Sequence, residues 1–169
     1  MSLIVETGAV VPGANTYAAI ATVTAHCASM GYAEWAATGV TDTQREAAIL
    51  RAMAYIEALP WCGIKTARDN PLSWPRSSMR DREGYALDSN AVPAVVVKAL
   101  CEAAYRELKT AGTLQPDETR DDSLTSLSVA GAVSLQWSAG APSRTNFRAI
   151  RDLLAGLIQA GGGIKLVRG

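Results

Sequence analysis

Pro71-Leu72-Ser73-Trp74-Pro75-Arg76, running on through Asp81-Arg82-Glu83-Gly84-Tyr85 to Val92-Pro93, is the stretch on which the fold of this chain turns. Helical patterns flank it, yet it has no helical or strand period of its own, and it carries a Trp, three prolines and alternating charges. Connections longer than about 12 to 15 residues are uncommon inside compact domains and are usually functional or disordered. This one holds too many large anchors for a linker. A Trp beside a Pro more often plugs a core than stacks on a base, so Trp74 and Pro75 are expected as buried anchors that pin the segment across a helical core. Arg76, Arg80, Asp81, Arg82 and Glu83 then make a polar rim and are candidates for an interface.

On the N-terminal side, Thr41 and Gln44 form a capping box, Asp42 puts a negative charge in the first turn, and Ile49, Met53, Ile56 and Leu59 recur at helical spacing. Residues 42–59 read as a helix that Pro60 ends. On the other side Pro93 sits at a first helical position, and Val97, Leu100, Cys101, Ala104 and Leu108 give one apolar face as far as Gly112. Lys98, Glu102, Arg106 and Lys109 fall on the opposite face, with Glu102 and Arg106 in the favourable i, i+4 order. Earlier in the chain, Thr22–Met30 is Ala-rich and closes at Gly31, a helix C-cap signal, with a short turn over Tyr32–Ala37. Leu3-Ile4-Val5 reads as a short strand or extended arm with no obvious partner.

Beyond the polar, acidic stretch 113–123, Leu124–Val129 and Val133–Trp137 alternate around Ala130-Gly131-Ala132 as a β-hairpin. Ser143 caps a last helix over 144–160 whose apolar positions are Phe147, Ile150, Leu154, Leu157 and Ile158, while Arg144, Arg148 and Arg151 share another face. Gly161-Gly162-Gly163 is a joint, after which Ile164, Leu166 and Val167 lie in a strand-like tail that either stays disordered or pairs with another chain. The fold class is therefore mainly α: a small helical bundle with a long central loop, one β-hairpin near residues 124–137 and extended N- and C-terminal arms.

Composition limits the chemistry. At 169 residues the chain suits one domain with a core of its own. Cys27, Cys62 and Cys101 are odd in number and widely spaced, which fits a reducing compartment and neither a disulfide framework nor a zinc site. No window approaches the ~20 apolar residues of a membrane helix and no leader pattern opens the chain, so a soluble intracellular product is expected. His26, the sole histidine, sits beside Cys27, but adjacent helical residues point apart. The adjacent acid pairs Asp117-Glu118 and Asp121-Asp122 lie in a polar loop, and no phosphate-cradling glycine motif is present. No enzyme, cofactor or metal is expected.

Net charge is zero, arranged in blocks: residues 1–63 sum to −3, 64–98 to +2, 99–143 to −3 and 144–169 to +4. Neutrality argues against binding driven by phosphate neutralisation. Alternating blocks suit a subunit that stacks on its own copies, unless folding mixes them. For nucleic acid stand the Lys65, Arg68, Arg76, Arg80 and Arg82 series with Trp74 and Tyr85 interleaved; against it stand Asp69, Asp81, Glu83 and Asp88.

The opening Leu3–Glu6 with Pro12–Tyr17, the Leu72–Arg76 block, the Asp81–Tyr85 turn, Val92-Pro93 entering a helix and the Gly-rich end resemble a family of tailed-phage proteins that go by the label DnaT-like single-stranded DNA-binding protein. In architecture that family looks like the head–tail connector, or adaptor, proteins. The resemblance implies one connector-like domain over residues 1–160 with a flexible tail over 161–169. It implies a structural virion protein that forms a ring, typically of twelve copies, beneath the portal protein and above a downstream neck or tail protein. Double-stranded DNA would pass through its channel without sequence-specific binding. The location implied is the head–tail junction of the virion, with the host cytoplasm during assembly, and no membrane. Interface residues would be Arg76, Arg80–Glu83, Arg144, Arg148, Arg151, Ile164, Leu166 and Val167, braced by Trp74, Pro75 and Pro93. The alternative is the single-stranded DNA binding named by the label. Relatives commonly have a more charged first helix than residues 18–30 here, which are nearly all apolar or neutral.

Overall fold

The computed structural model describes residues 2–115, 126–129, 133–136 and 147–159. Within them the protein is mainly helical: α1 (Ile20–Ser29), a 3-10 turn (Ala33–Ala36), α2 (Asp42–Glu57), α3 (Ala94–Lys109) and α4 (Arg148–Leu153). Two small antiparallel ladders accompany them, β1 (Ile64–Lys65) with β2 (Arg76–Ser77), and the hairpin β3 (Ser126–Val129) with β4 (Val133–Gln136).

The capping box at the start of α2 is present. Thr41 Oγ1 accepts from the Gln44 amide at 3.3 Å, and the Thr41 amide donates to Gln44 Oε1 at 2.8 Å. Helix α1 ends at a left-handed Gly31, with the Tyr32 amide donating to the Cys27 carbonyl and the Gly31 amide to Ala28, the paired bonds of a Schellman motif. Pro93 stands one position earlier than expected. With φ −58° and ψ 141° it is the N-cap of α3, and its carbonyl takes the first helical bonds from Val96 and Val97.

Helix α3 is the centre of the bundle, packed by α2, α1 and α4. That position corrects the two-faced reading of it. Glu102, assigned to the solvent face, is only 5% exposed, because α1 and α4 close over that side. The last helix also differs from the 144–160 expected. Only Arg148–Leu153 is helical in the described residues. Gly156 then takes φ +91°, and the chain turns back so that Leu157 O accepts from the Cys62 amide and Gln159 donates to Pro60 O. The apolar period was real, since Ile150, Leu154 and Leu157 are buried, but a turn rather than a third helical turn delivers the last of them.

The N-terminal arm finds its partner within itself. Val5 and Thr16 form a parallel bridge, and the buried Glu6 carboxylate accepts the amides of Gly8, Val10 and Val11 at 2.8–3.0 Å. The turn is thereby built around an internal anion acceptor.

The long central connection is ordered by four devices. Trp74 is fully buried, edge-on to Trp61 with ring centroids 5.5 Å apart, and the Trp74–Pro75 peptide is cis. Asn70 donates to Trp74 O at 2.8 Å and accepts from the Leu72 amide, closing the loop on itself. The Ser73 amide donates to Glu57 and the Trp74 amide to the Tyr17 hydroxyl, which ties the loop to α2 and to the N-terminal arm. Arg76 spends its guanidinium on the carbonyls of Cys62, Gly63 and Ser73 at 2.6, 2.9 and 3.1 Å. Trp74 Nε1 is the buried side-chain polar atom left without a partner among the described residues.

Gly63 and Gly84 both have positive φ, +68° and +92°, but only Gly63 is crowded: a Cβ there would stand 2.6 Å from Ser77 O. Gly63→Ala is therefore expected to cost about 3 kcal/mol or more, combining left-handed strain with overpacking, whereas Gly84→Ala carries the backbone term alone, about 1 kcal/mol. Urea unfolding of the two variants checks this; equal losses would mean that the close packing at Gly63 contributes nothing.

Candidate nucleic-acid interface

The turn after the pinned loop is held from within. Asp81 and Tyr85 exchange bonds, with the Asp81 amide donating to Tyr85 O and the Tyr85 amide to Asp81 Oδ1, and Arg80 Nη1 donates to Gly84 O at 2.7 Å. The Asp81 carboxylate is thus engaged by its own turn. The result is a tyrosine ring presented at 73% exposure, the most exposed large apolar side chain described. Arg82 Nη2 crosses to the main-chain oxygen of Asp152 in α4 at 3.1 Å, which ties the turn that carries Arg80, Arg82 and Tyr85 to the helix that carries Arg148 and Arg151; this joined surface is called the ridge below.

The expected interface residues divide accordingly. Arg80, Arg82, Glu83 and Arg148 are exposed, while Asp81 and Arg151 are half-buried. Arg76 is not on the rim: it is 9% exposed and braces the loop from inside, so its place is with Trp74 and Pro75. Arg144, Ile164, Leu166 and Val167 lie outside the described residues.

Beside α4 is a cluster of which the sequence reading had only the Glu102 and Arg106 pair. Glu102 is met by Arg106 Nη1 at 2.6 Å, by His26 Nε2 at 3.0 Å and by the Tyr32 hydroxyl at 3.2 Å from each carboxylate oxygen. Tyr32 stacks on Tyr105 with centroids 4.0 Å apart and planes 7° from parallel. Tyr105 donates to Glu34, which also pairs with Lys109. The i, i+4 pair Glu102 and Arg106 was the readable signal; that His26 and Tyr32, some seventy residues away, complete it was not, because only the packing of α1 on α3 brings them there. A cleft of ≈ 610 Å³ opens beside the cluster, bounded by Met30, Lys98, Ala149 and Leu153.

Burial pushes the Cys27 thiol up to about 11 and the Cys101 thiol up to about 12, with the Glu102 charge adding to both. Neither is an activated thiolate, and His26 is engaged with Glu102 rather than with a cysteine. No group of three or more metal-ligating side chains occurs among the described residues, and none of their helices is long and apolar enough to cross a membrane.

Fold and surface define a small, mainly helical protein with an aromatic and arginine-bearing ridge. Over residues 1–169 the chain matches the family described as "Putative DnaT-like ssDNA binding protein", and it belongs to that family. No curated protein and no solved structure matches it significantly. The family match agrees with the DnaT-like half of the resemblance seen in the sequence; the head–tail connector half has no counterpart among the matches.

Burial alone would raise the Glu102 carboxyl, but the bonds from Arg106, His26 and Tyr32 outweigh it and hold it below its ordinary 4.5. Such a group stabilises the fold above its unfolded pKa, and the contribution fades as pH falls through the lower folded value. Glu102→Gln is expected to cost about 3 kcal/mol at neutral pH, the scale for removing one member of a buried ion pair, and the gap to the parent protein should close below pH 4.5. Denaturation at pH 7 and at stepwise lower pH measures it; a gap that stays constant would show that the carboxylate's charge is not what stabilises the cluster.

Proposed function

We propose that the protein binds single-stranded DNA weakly, using the ridge formed by the 80–85 turn and α4, whose contacts do not themselves read the bases. The observation that carries this reading is the joining of the exposed Tyr85 to the arginines of α4 through the Arg82–Asp152 contact, in a chain of this family. A base has a face to stack on Tyr85, and stacking on an exposed aromatic contributes about 1–3 kcal/mol per base. Arg80 and Arg82 bond to carbonyl oxygens, which orient the guanidiniums without cancelling their charge, and Arg148 and Arg151 have no ion-pair partner among the described residues. Four phosphate contacts imply a fall of log K with log salt of about −3 for a single strand. Fluorescence anisotropy with a labelled oligothymidine should show that slope, and Tyr85→Ala should weaken binding about tenfold. Salt-independent binding, or binding untouched by Tyr85→Ala, would remove the ridge from consideration.

One observation favours a second reading, the ring subunit of a phage head–tail junction. Four of the twelve lysines and arginines among the described residues are matched by carboxylates within the chain: Arg45 by Asp42, Arg51 by Glu107, Arg106 by Glu102 and Lys109 by Glu34. With zero net charge the chain has no basic surplus for coating a strand, and a neutral subunit suits self-association around double-stranded DNA that must slide. On this reading the partners are further copies of the chain, typically twelve, with the portal protein and a downstream neck or tail protein. Light scattering, with and without portal protein, separates the two readings. A mass far above 17.8 kDa that drops when Arg144, Arg148 and Arg151 are all replaced by Ala supports the ring; a monomer that binds oligonucleotide supports the strand binder.

A further inference from the structure

We infer that the cleft between α1, α3 and α4 is a pocket for one nucleotide, an inference that rests on the single-stranded DNA reading and gives it a second contact. At ≈ 610 Å³ the cleft falls within the roughly 300–1,000 Å³ of small-ligand pockets. Its chemistry is mixed in a particular way. Glu102, on its floor, is already met by Arg106, His26 and Tyr32, so it makes no demand on a ligand. Lys98 lies one helical turn before Glu102 on α3, is exposed, and has neither a carboxylate nor a hydrogen-bond partner among the described residues. It is a free cation at the rim.

Asp152 complements it from α4. Its carboxylate is exposed and has no cation or hydrogen-bond partner among the described residues, although its main-chain oxygen holds Arg82. The same lining includes Met30, 52% exposed, and Leu153. A polarisable thioether and a leucine form an apolar wall suited to the face of a flat ring. The set matches a nucleotide part by part: phosphate at Lys98, base face on Met30 and Leu153, and a ring amino group donating to Asp152, the contact that carboxylates make with cytosine N4. Because Arg82 bonds to Asp152 itself, the cleft adjoins the Tyr85 ridge, and a strand crossing the ridge can turn one base inward.

The test uses the full-length, ¹⁵N-labelled protein titrated with deoxycytidine monophosphate and, separately, with inorganic phosphate at matched ionic strength. Expected are saturable amide shifts at Lys98, Glu102, Ala149 and Asp152 with the nucleotide and a smaller, partial pattern with phosphate. Lys98→Ala should weaken the nucleotide about tenfold, and Ala149→Trp, which fills the cleft from an exposed helical position, should abolish the shifts. Absence of saturable nucleotide shifts, or phosphate alone reproducing the whole pattern, would overturn the pocket. Oligonucleotide binding that survives Ala149→Trp but is lost in Tyr85→Ala overturns the pocket and leaves the ridge standing. Nucleotide shifts in a protein that binds no oligonucleotide support the pocket and overturn the strand-binding reading.

Discussion

Glu57, the last residue of α2, is the point through which three separate segments are joined. Its carboxylate accepts the Tyr17 hydroxyl from the N-terminal arm and the Ser73 amide from the central loop, while the Tyr17 oxygen in turn accepts the Trp74 amide. A carboxylate at a helix C-terminus faces the negative end of the helix dipole. Those donors offset that cost. Burial first, and the Glu57 charge second, push the Tyr17 phenol well above its ordinary value, so it remains a proton donor throughout the usual pH range. This node works beside the Trp61 contact and the Asn70 and Arg76 bonds in fixing the approach of Trp74 to the core.

The same device recurs elsewhere in the protein. Glu6 gathers three amides of the N-terminal turn, and Glu107 takes Arg51 on one side and the amides of Gly112 and Leu114 on the other, folding back the chain after α3. Glu102 does the equivalent with side chains alone. Each buried carboxylate has its charge met by several donors, the condition under which burial of an ion is tolerable. Conversely, the buried Arg76 has no carboxylate and relies on three carbonyls, and burial lowers its pKa while the neighbouring Tyr17, Cys62 and Glu57 act against that. Loop conformation in this protein is written largely in such many-to-one contacts.

That explains what could be read in advance. Periodicity and capping located α2 and α3 to within a residue or two, because Thr41–Gln44 and the Ile49, Met53, Ile56 spacing are local properties. The burial of Trp74 followed from its size and its proline neighbour. The place of Arg76 did not, since its partners are backbone oxygens whose positions depend on the turn at Gly63. The end of α4 was misjudged for a related reason. The spacing of Leu154 and Leu157 continues a helical period, and only Gly156 marks the point at which the chain leaves it to bond with Pro60 and Cys62. The Glu102 cluster was half legible, as an i, i+4 pair on a face assumed to be wet.

Burial also bears on how the zero net charge is distributed. Among the described residues, three carboxylates, those of Glu6, Glu102 and Glu107, are buried, whereas Arg76 is the buried cation. Glu6 is balanced by backbone amides and Arg76 by backbone carbonyls, so these two burials cancel in the surface count, while Glu102 and Glu107 are paired with Arg106 and Arg51. The surface as a whole therefore stays neutral, and its positive character is local. Locally, Arg80, Arg82, Arg148 and Arg151 face Asp81, tied into its own turn, together with Glu83 and Asp152. Such a surface attracts a polyanion mildly and releases it readily as salt rises. A strand held for a short time and DNA sliding past a ring wall both require that same weak field, and for this reason the bound mass of the protein, more than its charge, separates them.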